Sequence, residues 1–132
     1  MYTMKTAELT KEQFDERDEI MSRFEIQTFG HWWGGIKRYM DLDVGTLEKL
    51  IEKGYADVDE KQNEAPCIGG FLELMKQYPT LKAHGYWVTR ERDDSRISIE
   101  GVEGKCPSDI AMLFKHADDF EYKDGNLYVW YD

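Results

Sequence analysis

Cys67 follows Pro66, and Cys106 precedes Pro107, in a chain of 132 residues. Both cysteines stand where helices are expected to begin, and the free N–H groups and dipole of a helix start favour a thiolate. A thiolate nucleophile also needs a base, and His84 and His116 are residues of the right kind. No spacing ties either histidine to either cysteine, so two small, partly buried apolar side chains are the expectation. His31, His84 and His116 are isolated from one another, without the i, i+4 or CxxC spacing that sets metal ligands on one face. The acidic run "DVDEKQNE" at 57–64 lacks the central glycine and terminal glutamate of a calcium loop. Asp93-Asp94 and Asp118-Asp119 are paired carboxylates, but aspartates in turns usually bond to local backbone, and Arg90, Arg92 and Arg96 surround the first pair. The sequence therefore assigns no catalytic residue, no metal ligand and no cofactor.

Recognition chemistry is better represented. "GHWWGGIKRYM" at 30–40 sets two tryptophans among glycines, ahead of two cations, in one of two segments with net positive charge. At helical spacing Phe29, Trp33, Ile36 and Met40 share a face, which predicts a short helix over 31–42. Gly34 and Gly35 oppose it by about 1 kcal/mol each. Neighbouring helical residues point about 100° apart, so one tryptophan is expected in the core and the other at a seam or on the surface. Trp32 beside Lys37 and Arg38 would be an aromatic anchor of the kind enriched at binding hot spots. Plain packing of a glycine-containing helix is the simpler explanation.

The elements that must position these residues follow from periodicity and capping. Thr10 and Gln13 form a capping box for a helix over 11–27, with Phe14, Met21 and Phe24 on its apolar side. "DVGTLEKLIEKG" is a helix with Asp43 or Thr46 at its start and Gly54 at its end. Pro66 opens a further helix, carrying Ile68, Phe71, Leu72 and Met75, that Pro79 ends. Beyond Pro79 the period becomes two, and "KAHGYWVTRERDDSRISIEGV" predicts a hairpin turning at Asp93-Asp94-Ser95. A one-residue slip would exchange the faces of one strand; the favoured register sets Val88 against Ile99, with Trp87 on the opposite face. "CPSDIAMLFKHA" is another helix. In "DDFEYKDGNLYVWYD" the Asp124-Gly125 pair marks a two-residue turn. It sets Tyr122 against Leu127 and Phe120 against Val129, with Tyr128 and Trp130 on the other side. The expected fold is a single α+β domain over 1–132: a helical N-terminal half packed on a four-stranded, mostly antiparallel sheet built hairpin–helix–hairpin. Trp87, Tyr128 and Trp130 then share its outer face, and exposed aromatics of that kind usually meet a partner or a second copy. The alternative is that the N-terminal helices wrap round and cover them.

Seventeen cations against 27 anions leave a net charge of −10. No basic footprint for direct nucleic-acid binding is present, and a chain this acidic attracts basic partners. No apolar run is long enough to span a membrane, and the N-terminus lacks a secretory h-region, so a cytoplasmic protein is expected. "MDLDVGTLEKLIEKGYAD" and "AHGYWVTRERDDSRISIEG" resemble small uncharacterised bacterial proteins carried on phages and mobile elements. The resemblance implies an accessory protein that binds another protein and carries no activity across. The sequence thus points to a small, acidic, non-catalytic interaction protein. It would bind a protein partner, or itself as a homodimer, through Trp32, Lys37, Arg38, Trp87, Tyr128 and Trp130. One sharper version has it antagonise a nucleic-acid-binding protein by occupying its basic groove. The alternative is a small enzyme or ligand-binding domain with a pocket between helices and sheet, using His31 or His84.

Overall fold

A computed structural model describes residues 9–26 and 35–132. Its elements are α1 (Lys11–Ser22), β1 (Ile36–Leu42), α2 (Val44–Glu52), α3 (Ile68–Gln77), β2 (Lys82–Val88), β3 (Arg96–Lys105), α4 (Ser108–Ala111), β4 (Asp119–Lys123) and β5 (Asn126–Trp130). The class is α+β, and the strands form a five-stranded antiparallel sheet in the order β1-β2-β3-β5-β4.

Local signals account for most elements. The Thr10–Gln13 capping box closes reciprocally at the start of α1. Asp43 caps α2 by accepting from the Thr46 backbone N–H at 3.0 Å. The helix after Pro107 is shorter than expected and ends in a tight 3₁₀ turn over Met112–Phe114. In the last hairpin Asp124 and Gly125 both hold positive φ, at 54° and 81°. That turn fixes Tyr122 opposite Leu127 and Phe120 opposite Val129, as the sequence implied.

Three expectations are corrected. The helix predicted over 31–42 is strand β1 from Ile36 onward; Trp32 and His31 lie outside the described residues. Gly35, with φ +86°, breaks any helix there. Ile36 and Met40, two of the residues that suggested a helical stripe, fit a strand equally, because short apolar runs suit both periods; Phe29 and Trp33 lie outside the described residues. The sheet therefore gains a fifth strand, and the N-terminal half is not wholly helical.

The third correction concerns the β2–β3 register. Trp87 pairs with Ile97, Gly85 with Ile99, and Val88 with Arg96 rather than with Ile99. The connection over 89–95 is longer than a tight hairpin and is held internally. The Ser95 hydroxyl donates to the Val88 carbonyl at 2.6 Å, and the Thr89 N–H donates to the Gly35 carbonyl at 2.7 Å. Arg17 of α1, wholly buried, donates to that same Val88 carbonyl at 3.0 Å and to the Ser95 Oγ at 2.8 Å. Trp87 is consequently a core side chain, 1% exposed and packed beside Tyr39, and not part of an outer aromatic patch. It shares the inner face with Ile97, Ile99, Val102, Leu127 and Val129 and is joined there by Leu42, Leu50, Phe71 and Met75 in one apolar cluster.

This register predicts a sharp contrast between two tryptophans. Trp87→Ala removes a core ring and should cost about 3–5 kcal/mol, against about 1 kcal/mol for Trp130→Ala, which loses one hydrogen bond. Urea unfolding midpoints measure both, and equal losses would mean the faces are wrongly assigned.

Candidate functional site on the outer sheet face

The side of the sheet opposite the core carries Arg38 from β1, His84 and Tyr86 from β2, Glu103 from β3, and Tyr128 and Trp130 from β5. Glu100 joins them through a bulge. Gly85 faces Ile99 and His84 faces Gly101, so Glu100 has no opposite residue. Its carboxylate is buried, and a buried carboxylate demands partners. One oxygen, Oε1, accepts from Arg38 Nη2 and from Trp130 Nε1, the latter at 3.3 Å. A cation on β1 and an indole on β5 are thereby tied to one anion on β3.

His84 forms the floor beside them. Its Nε2 lies 2.8 Å from the Val129 carbonyl, which can only accept, so Nε2 carries the proton. The ring stacks on Tyr128 with centroids 5.3 Å apart and planes 3° from parallel. Burial lowers the His84 pKa; the Val129 carbonyl opposes that shift, and the positive Arg38 adds to it. The imidazole is therefore neutral near pH 7, and Nδ1 is an acceptor with no hydrogen-bond partner among the described residues. Burial, and then the anions Asp119 and Glu103, raise the Tyr128 phenol.

Arg38, His84, Glu103, Tyr128 and Trp130 line a depression of about 280 Å³, completed by Ile26, Tyr39 and the exposed Met40. The other end of the face is occupied. There Glu60 ion-pairs with Arg96 at 3.2 Å, and the Tyr86 hydroxyl donates to Gln62 at 3.1 Å.

Of the residues singled out for partner binding, Arg38, Tyr128 and Trp130 are brought together. Lys37 is not: it pairs in register with Trp87 on the other side of β1 and meets Glu25 at 3.4 Å. Trp87 is buried, and Trp32 is not among the described residues. Sequence reasoning missed Glu100 and gave His84 no neighbours. The available signal was Gly101 inside "SIEGVEG", since an isolated glycine in a strand pattern suggests a bulge.

The reactive-residue candidates stay apart. Cys67 does precede α3, but the first helical N–H groups already donate to the loop, Ile68 to the Glu60 carbonyl and Gly69 to the Val58 carbonyl, both at 2.9 Å. Burial, and then Asp109, raise the Cys106 thiol, the opposite of activation. Asp94 is held below the usual carboxylate range, chiefly by the Arg92 hydrogen bond. No cluster of three metal-ligating side chains exists among the described residues, and no described helix is long and apolar enough to cross a membrane. No protein family, curated protein or solved structure matches this chain.

The histidine gives a pH prediction. The folded chain holds His84 neutral, so as pH falls through the ordinary value of 6.5 the unfolded chain takes up the proton first. His84 therefore contributes stability fully above that pH, and the contribution is lost as pH falls toward the lower folded value. His84→Gln keeps a donor for Val129 and removes the titration. The wild-type advantage over this variant, read from urea midpoints, should shrink between about pH 7 and 5; a constant difference would show that the ring is not held neutral.

Proposed function

We propose that the protein is a non-catalytic interaction module that docks a protein partner on the open end of its outer sheet face. The reading rests on one observation: Arg38 and Trp130 are fixed to the buried Glu100 carboxylate beside the His84–Tyr128 stack, around a depression of about 280 Å³. Tryptophan and arginine held in place before binding lose little freedom on association, which favours recognition. The depression falls just below the range of about 300–1,000 Å³ usual for small-molecule pockets. Its size suits one inserted side chain of a partner. His84 Nδ1 offers that side chain an acceptor.

Catalysis is the weaker reading on the same evidence. The Glu100 carboxylate is committed to Arg38 and Trp130 and the His84 Nε2 proton to Val129, which leaves His84 Nδ1 as a lone acceptor with no nucleophile or second acid–base group hydrogen-bonded to it. A small polar ligand in the depression is the second reading, favoured by its concavity and by the free Nδ1. The net charge of −10 supports a basic partner surface, including the sharper idea that the chain occupies a nucleic-acid-binding groove. A cytoplasmic accessory protein from a mobile element fits this role.

The test is affinity capture from the source cells with wild-type protein, Trp130→Ala, Met40→Glu and the turn control Asp93→Asn. Partners retained by wild type and Asp93→Asn should be lost with Trp130→Ala, a hot-spot truncation costing about 2 kcal/mol or more, roughly thirtyfold in Kd. Met40→Glu should weaken them too, and rising salt should release a basic partner. Capture indifferent to both substitutions would remove this face as the binding surface; capture indifferent to salt would remove the electrostatic part.

A further inference from the structure

A second concave surface lies on the helical side of the sheet. Phe71 of α3 stacks on Phe114 with centroids 6.3 Å apart and planes 2° from parallel, and Phe114 meets the edge of Tyr131 at 6.5 Å. Tyr131 follows Trp130 and is directed to the opposite side of the sheet by strand alternation. Over this aromatic floor runs a groove of about 510 Å³, walled by Pro66, Leu74 and Gln77 on one side and by Ile110 and Leu113 on the other.

Three large apolar side chains are conspicuously exposed among the described residues: Leu113 at 70%, Met112 at 44% and Met40 at 36%. Met40 belongs to the outer-face depression. Leu113 stands on the wall of this groove and Met112 precedes it in the chain, and apolar exposure at the wall of a concavity marks a docking surface.

Charge selects the occupant. Glu64 lines the groove. Glu73 is one turn from both Gly70 and Gln77 on α3, and Asp109 stands one turn before Leu113. None of these three carboxylates has an ion-pair partner among the described residues, whereas the nearby Lys76 is engaged by Glu48 at 3.9 Å. Lys115 and His116 follow Phe114, beyond the groove wall. A second copy would bring the same three anions against themselves, on a chain already at −10.

We infer that this groove receives an amphipathic helix of a basic protein partner, with apolar side chains one turn apart entering between Leu74 and Leu113 and lysines or arginines meeting Glu64, Glu73 and Asp109. A groove between two helical walls, with an apolar floor and a charged margin, is the arrangement in which helix-in-groove recognition operates. The site is independent of the outer-face reading, since the two surfaces lie on opposite sides of the sheet.

The probe is a labelled amphipathic peptide about four turns long, leucine on one face and lysine on the other, followed by fluorescence anisotropy with the full chain. Two controls accompany it: the same composition scrambled to destroy the leucine stripe, and the same stripe with glutamate for lysine. The striped lysine peptide should bind saturably, and both controls should bind at least about tenfold more weakly. Leu113→Ser, at an exposed position that leaves folding intact, should weaken binding about tenfold. Glu64→Lys with Glu73→Lys should weaken it several-fold at low salt, and Trp130→Ala should leave it unchanged. The inference is overturned if no peptide binds, if the controls bind equally, or if Leu113→Ser has no effect. It is overturned equally if Trp130→Ala abolishes binding, which would place the peptide on the sheet face, or if sedimentation reveals a dimer that Leu113→Ser dissociates.

Discussion

The pairing of β2 with β3 is the constraint on which the rest of the molecule depends. A strand has two faces and one parity, so the choice of partner for Trp87 decides the face of every ring on β2. With Trp87 opposite Ile97, the inner face closes over a continuous apolar cluster and the outer face is left with Arg38, His84, Tyr86 and Ser98. The register is not left to side-chain packing alone. The Val88 carbonyl, at the last residue of β2, accepts from both the Ser95 hydroxyl and the Arg17 guanidinium. Arg17 also engages Asp18 at 2.8 Å and lies over the Phe14 ring, which anchors α1 to the end of the β2–β3 connection. A slip by one residue would break this set of hydrogen bonds and bury charge without partners, a cost well above that of a lost surface contact.

The bulge at Glu100 follows from the same pairing and makes the outer face more than a pleated surface. An unopposed residue tilts a carboxylate into a site where water cannot serve it, so the protein must supply donors. Trp130 does so from the adjacent β5, and Arg38 reaches over from β1, across β2. Loss of either leaves the buried carboxylate with a single donor, and this confines two large side chains that would otherwise sample many rotamers. Rigidity at a solvent-facing patch is what separates a recognition surface from a merely apolar one. The nearly parallel stack of His84 and Tyr128 adds a second fixed wall.

Much of this was legible in the sequence, where local chemistry decides the outcome. The Asp124-Gly125 turn admits few alternatives, and so the last hairpin, its register and the outward Tyr128 and Trp130 could be read directly. The Thr10 capping box and the Asp43 cap place the starts of α1 and α2 for the same reason. The errors arise where two local readings were close in free energy and a distant partner settled the matter. Residues 36–42 fit a helix period as well as a strand period until β2 supplies the ladder. The face of Trp87 depended on the length of a connection whose hydrogen bonds come from Arg17, 71 residues before Val88. Arg38 was singled out from a helix that does not form, yet it still faces outward, because it lies one residue from Tyr39 in either period. Glu100 could not be weighted from sequence, since an acidic residue in an alternating strand reads as solvent-facing.

The two concave surfaces divide the molecule's electrostatics differently, and this bears on what each can hold. On the outer face the depression contains its own cation, but the Arg38 charge is spent on Glu100 and Glu103 adds a carboxylate, so the site selects chiefly by shape and hydrogen bonding. Along the α3–α4 groove the carboxylates are unpaired among the described residues, so the field there has one sign. Screening at physiological salt reduces interactions over about 8 Å, and the overall charge therefore acts as a general bias toward basic surfaces while only adjacent carboxylates add local selectivity. A sheet with one polar face and one apolar face needs helices on a single side only. The fold thus leaves two surfaces back to back, separated by the core, and occupancy of one does not obstruct the other.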